Sequence, residues 1–264
     1  MTLLSGGSFQ IASEGETKTF LTTISVESQD AARTLWDTYS GRRGMLDARK
    51  KGESKRGYSY DPDLRRFVRN TDGQVVGDND IEKSVRRVSN GARNEMRKQT
   101  QQLIAGSIVL AVYYSRMRSI MNALYSAIWL VSIGGFVFED NTTRNLFYLW
   151  VLSQYRFFDR FADDLERGTA SLDGRSVVRS GMYGEAGNGL WQNIILEQKQ
   201  KDGFDEAKRV LGDNENHCED SDDRSGCIEL ALQGWIPIQS MTPIGNATCL
   251  TNCHCAIEYR RLKK

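Results

Sequence analysis

Residues 78–104, DNDIEKSVRRVSNGARNEMRKQTQQLI, decide the fold. Ile81, Val85, Val88, Ala92, Met96 and Leu103 recur at intervals of three, four or seven, which places them in one stripe on an α-helix. Arg86, Arg87, Arg93, Arg97 and Lys98 fall mostly off that stripe. Asp78 or Asp80 is expected to cap the start, because a short side-chain acceptor takes a free backbone N–H of the first turn. A helix with one apolar stripe and a charged back has to lie on other helices.

Downstream, the pattern repeats. Gly106-Ser107 breaks the first helix and a second starts near Ile108. Ser119 to Phe138 carries no charge over twenty residues, about the length of a membrane span. Asn122, Ser126, Ser132 and the Gly134-Gly135 pair dilute its hydrophobicity, so a buried core helix ended by the glycines is expected. Asn141 to Glu166 forms the next helix, started by Thr142 or Thr143. Leu146, Leu149, Trp150, Phe157, Phe161 and Leu165 are read as its inner face, and Gly168 as its C-terminal cap. Asp173 to Lys201 is helical again, with interruption expected around Gly181, Gly184, Gly187 and Gly189. Small residues there allow close packing. No Lys-Ser/Thr follows these glycines and no strand precedes them, so they form no phosphate loop.

Upstream, Tyr58 to Val76 reads as a small β-hairpin, with alternating Tyr58 and Tyr60, then Phe67-Val68, and a turn at Asn70-Thr71-Asp72-Gly73. Ala31 to Tyr39 fits a short helix. Residues 1–30 read as a Gly/Ser/Thr-rich arm with one strand near Phe20–Val26, and Gly41 to Gly57 as a basic segment that is mobile or ordered by a partner. The expected fold is mainly α: a helical body preceded by a small β-hairpin and followed by a small cysteine-rich, zinc-knuckle-like module. The expected divisions are a flexible basic arm at 1–57, the hairpin and helical domain at 58–205, and the cysteine-rich module at 206–264.

The net charge of +1 gives no global case for nucleic-acid binding. The charge is uneven, however. Up to Arg118 there are 20 Lys/Arg against 14 Asp/Glu, and after it 15 against 20. Such asymmetry suits a component that meets differently charged partners. Arg42, Arg43, Arg49, Lys50 and Lys51 are candidate contacts to phosphates or to an acidic protein surface. The N-terminus lacks the apolar run of a secretory signal, so cytosolic synthesis is expected.

All five cysteines, Cys218, Cys227, Cys249, Cys253 and Cys255, lie in the last 47 residues, and both histidines, His217 and His254, accompany them. Two ligand groups separated by a loop are how small zinc sites are built, and soft thiolates favour zinc over calcium or magnesium. The expected ligands are Cys218, Cys227, Cys249 and Cys253, with Cys255 or His217 as substitute, and the Zn2+ is structural. Disulfides and unliganded thiols are the alternatives, and an odd count leaves one thiol over under full oxidation. No catalytic residues are expected, because two histidines, each beside a cysteine, leave few members for a nucleophilic triad. Asp159, Asp163 and Asp164 on one aromatic helix read as a solvated or ion-paired face.

Several segments together resemble the minor head, or head morphogenesis, proteins of tailed phages, including the group similar to those of Mu-type phages. They are Tyr58-Ser59-Tyr60-Asp61-Pro62 with Arg65-Arg66-Phe67 and Gly73; Tyr155 to Phe161; and Met182-Tyr183-Gly184-Glu185-Ala186. Most specific is the C-terminal order Val210-Leu211-Gly212, His217-Cys218, Gly234-Trp235-Ile236-Pro237-Ile238, Pro243-Ile244-Gly245, Cys249, Cys253-His254-Cys255, Glu258-Tyr259-Arg260. The segments span residues 58–261. In the family pattern a second cysteine soon follows the first; here Ser221 stands at that place, with Cys227 as its substitute. The resemblance implies a low-copy, non-enzymatic virion component at or near the portal vertex. It would meet the portal protein, other head or neck proteins and packaged DNA, in multiple copies around a symmetric vertex, and act in head morphogenesis or genome delivery. An ejected membrane-active protein or a DNA-binding zinc module is the alternative.

Overall fold

The structure is a computed structural model and describes residues 26–48, 57–61, 63–135, 141–212, 217–221, 224–249, 253 and 255–262. It is mainly helical. Helices α1 (Val26–Tyr39), α2 (Asp78–Ile104), α3 (Leu110–Ser132), α4 (Asn141–Glu166) and α5 (Gly174–Lys201) form the body, and a short α6 (Cys227–Leu232) belongs to the C-terminal module. Strands β1 (Tyr58–Asp61) and β2 (Arg66–Arg69) pair antiparallel, with Tyr60 opposite Phe67. The expected small hairpin is present, but it turns between Asp61 and Arg66, and the turn expected at Asn70–Gly73 leads instead to a single Val68–Val75 bridge. Strands β3 (Glu206–Val210), β4 (Ile236–Pro237) and β5 (Ala256–Arg260) make a second antiparallel sheet in the order β4-β3-β5.

The stripe on α2 is the buried one. Ile81, Val85, Val88, Ala92, Met96 and Leu103 are all in the main core. Neither Asp78 nor Asp80 caps the helix, however. Gly77 is the N-cap and makes no side-chain cap bond. The two carboxylates sit in the first turn, where the helix dipole favours negative charge. Asp78 also faces Lys199 Nζ at 3.3 Å, and Asp80 meets Arg42 Nη2 at 3.1 Å. Gly106 and Gly168 end α2 and α4 alike. Their N–H groups donate to Leu103 and Leu165, while those of Ser107 and Thr169 reach back to Gln102 and Asp164, the paired bonds of a Schellman stop.

The uncharged stretch is a core helix up to Ser132. Every residue of α3 from Ala123 to Ser132 is buried. No helix among the described residues is long and apolar enough to cross a membrane. The expected inner face of α4 holds at Phe161 and Leu165, with Leu146 and Trp150 partly buried against the core, and fails at Phe157. Phe147, Val151, Phe158, Phe161 and Leu165 are the core residues, while Phe157 is exposed. The reason is tertiary. Phe158 is held by stacking on Tyr114 and edge-on contact with Tyr183, which sets the rotation of α4.

The glycines of α5 do not interrupt it. Asp173 caps the helix by accepting from the Arg175 N–H at 2.8 Å, and the helix runs unbroken to Lys201. The glycines let α2 approach instead. A Cβ on Gly184 would lie 2.5 Å from the backbone nitrogen of Arg93, and one on Gly187 would lie 2.8 Å from Ser89 Oγ. Rising numbers on α5 thus meet falling numbers on α2, and the pair is antiparallel. Gly184→Ala is expected to destabilise the body by about 1–3 kcal/mol, since a backbone cannot yield as a rotamer can. Denaturant titration followed by helical circular dichroism measures it.

The expected arm at 1–57 is corrected for residues 26–48. Trp36, Met45 and Leu46 are fully buried core residues. Trp36 Nε1 donates to the Arg42 carbonyl at 3.1 Å, and the Tyr39 ring fills the space over Gly91. Val26 to Asp30 is helical rather than extended. The remainder of the expected strand near Phe20, and the basic residues Arg49, Lys50 and Lys51, lie outside the described residues.

The body ends where the second core begins. Leu196, Ala207, Cys227, Leu230, Ile238, Met241, Ile244, Ala247, Cys253, Cys255 and Ile257 form a separate apolar cluster. It is seated on the body through Asn193 Nδ2, which donates to the Ile244 carbonyl at 2.9 Å, and Gln200 Nε2, which donates to the Ile238 carbonyl at 3.2 Å.

Candidate metal centre

The five cysteines come from three separate places. Cys218 lies on the loop after β3, Cys227 opens α6, and Cys249, Cys253 and Cys255 lie on the segment entering β5. They converge. Cys227 Sγ is 3.3 Å from Cys249 Sγ and 3.6 Å from Cys253 Sγ. Cys218, Cys227 and Cys249 have their sulfurs within 4.8 Å of one another, and so do Cys227, Cys253 and Cys255. Four thiolates at about 2.3 Å around a tetrahedral ion stand about 3.8 Å apart, so these spacings suit metal ligation. The cluster can hold a metal ion. The closest sulfur pair is far outside the roughly 2.05 Å of a disulfide, and all five thiols are free.

The expected ligands Cys218, Cys227, Cys249 and Cys253 are therefore brought together, and Cys255 joins them. His217 is half-buried beside Cys218 but belongs to neither sulfur group. His254 lies outside the described residues.

The long gap between Cys218 and Cys227 is closed by a folded-back loop. Ser221 and Arg224 pair as an antiparallel bridge, and the Asp220 carboxylate accepts from the Gly226 N–H at 2.5 Å. A Cβ on Gly226 would sit 2.3 Å from the Glu219 carbonyl carbon. Only glycine lets the returning strand press against residues 218–219. The Cys227 N–H then donates to Cys218 Sγ at 3.1 Å, a bond that stabilises a thiolate.

Charge is shared unevenly in the cluster. Thiol hydrogen bonds from Cys227, Cys249 and Cys255 hold Cys253 far below the usual thiol range, although burial opposes this. Cys227, as the donor to Cys249, Cys253 and Cys255, is pushed up, and burial adds to the rise. Although burial opposes it, the Cys227 N–H likewise lowers Cys218. A cation replaces the thiol protons.

Arg209 completes the site and was not among the residues singled out from sequence. It is 1 % exposed. Its Nη1 donates to Cys253 Sγ at 3.4 Å, its Nη2 to the Thr242 carbonyl at 2.6 Å, and its Nε is buried without a partner. The signal was present in β3. Alternation along Glu206-Ala207-Lys208-Arg209-Val210 puts Arg209 on the same inward face as Ala207. A buried cation needs a counter-charge, and the sulfur cluster supplies it. Arg209→Met is expected to weaken metal binding by about 10–100-fold, the usual scale for groups that support metal ligands, as read by competition with a chromophoric chelator.

The other candidate residues separate. Arg42 is committed to Asp80 and lies mostly buried, so it is not a free phosphate contact. Arg43 is well exposed and approaches Asp37 at 3.9 Å. Asp159 accepts from Tyr114 and Arg118, and Asp164 faces Arg179 at 3.6 Å, as an ion-paired face should. Comparison with protein-family models, curated proteins and solved structures finds no significant match to this chain.

Proposed function

We propose that this chain is a non-enzymatic structural protein of a tailed-phage virion, acting at or near the portal vertex in head morphogenesis or genome delivery. Its C-terminal module is held by a structural Zn2+ centre. One observation carries the reading. The residues that resemble phage minor head proteins most specifically are the ones that build this module and seat it. Cys218, Cys249, Cys253 and Cys255 supply sulfurs to the cluster. Trp235 lies under the Arg260 guanidinium at 4.4 Å and the Lys208 ammonium at 5.1 Å. Ile244 is buried, and Gly245 packs against the Trp150 ring of the body.

These are supporting roles rather than catalytic ones. An all-sulfur donor set selects zinc among the common divalent ions, and clustered cysteine thiolates of this kind build structural sites. The partners are the portal protein and other head or neck proteins, met by several copies around a symmetric vertex. Quantitative mass spectrometry of purified virions is expected to recover the chain at a fixed, low ratio to the portal protein. A chain abundant in infected cells and missing from particles overturns the assignment.

A further inference from the structure

We propose that the cysteine cluster holds two metal ions rather than one, bridged by the thiolate of Cys227. This rests on the zinc reading above and refines it. The five sulfurs do not form one tetrahedron with a spectator. They fall into two triads, Cys218/Cys227/Cys249 and Cys227/Cys253/Cys255, and Cys227 belongs to both. Each triad is a three-sulfur face of the size that one tetrahedral zinc ion occupies. A thiolate sulfur has lone pairs for two metals, and Cys227 is the residue placed centrally, 3.3 Å from one neighbouring sulfur and 3.6 Å from another.

Charge balance points the same way. One Zn2+ on four thiolates is a dianion, which Arg209 only half neutralises, and it leaves the fifth thiol without a role. Two Zn2+ with five thiolates form a monoanion. The buried Arg209 guanidinium against Cys253 Sγ then makes the whole assembly neutral. An interior of low polarity favours the neutral arrangement. The fourth position of each ion would be closed by a histidine flanking these cysteines, as His217 flanks Cys218, which keeps the centre structural.

The test is native mass spectrometry of the full chain, loaded with zinc in reducing buffer and freed of loosely bound ions on a weak chelating resin. Two zinc ions per chain are expected. Cys255→Ser is expected to hold one, whereas a single ion on Cys218, Cys227, Cys249 and Cys253 would be unaffected by that change. The 113Cd-loaded chain is expected to give two cadmium resonances of sulfur-rich type, a readout that does not depend on any variant folding. One ion in the unmodified chain, with one cadmium resonance, overturns the paired centre and leaves structural zinc standing. No bound ion overturns both.

Discussion

Replacing Cys227 with serine is expected to release the metal and unfold the C-terminal module while the helical body stays folded. Cys227 is the sulfur common to both groups of the cluster, and it is 2 % exposed, so no water-facing donor can substitute for it. The module has little else to hold it. Its apolar cluster is small, and three of its core members are themselves cysteines. Structural zinc contributes on the order of 10–16 kcal/mol in small zinc modules, more than a core of this size supplies. The body does not depend on it, because its core residues, from Ala32 to Ile194, pack in a separate cluster. Limited proteolysis is expected to trim the variant from the C-terminal side to a fragment ending near Lys201, with helical circular dichroism little changed. A strong chelator on the unmodified protein should do the same. A variant that binds no metal and yet resists proteolysis beyond residue 206 would refute the structural role.

Trp36→Ala is expected to destabilise the body by about 3–5 kcal/mol, the usual cost of emptying a buried aromatic site. Trp36 is fully buried. Its loss leaves a cavity between α1 and the rest of the body and strips the Arg42 carbonyl of the indole N–H. For a body of this size the melting temperature should fall by roughly 10 °C. The measurement is thermal unfolding at fixed zinc. It also decides where the folded body starts. If residues before 57 were an arm, the change would be silent.

Sequence periodicity was most informative where one face is apolar and the other charged. The stripe from Ile81 to Leu103 specified α2 because each misplacement would bury an arginine. It was ambiguous on α4, where aromatic residues lie on several sides. Phe157 and Phe158 are equally apolar, and only the contacts of Phe158 with Tyr114 and Tyr183 choose between them. The glycines of α5 misled for a related reason. Glycine weakens an isolated helix, but here the absent Cβ admits the backbone of α2, and packing outweighs propensity.

The C-terminal module shows the same division. The sequence alone determined that five cysteines would gather there, because clustered thiols in a small segment have few other uses. It determined the order of the helices and a small hairpin before α2, because residue alternation and apolar spacing are local properties, but not which turn closes the hairpin. Which sulfurs meet was a matter of tertiary structure, since the path from Cys218 to Cys227 depends on Gly226 folding back against residues 218–219. The place of Arg209 was likewise decided in three dimensions. A strand's alternation can put a charge inward, but only the sulfurs arriving from α6 and from the segment before β5 give that charge something to balance.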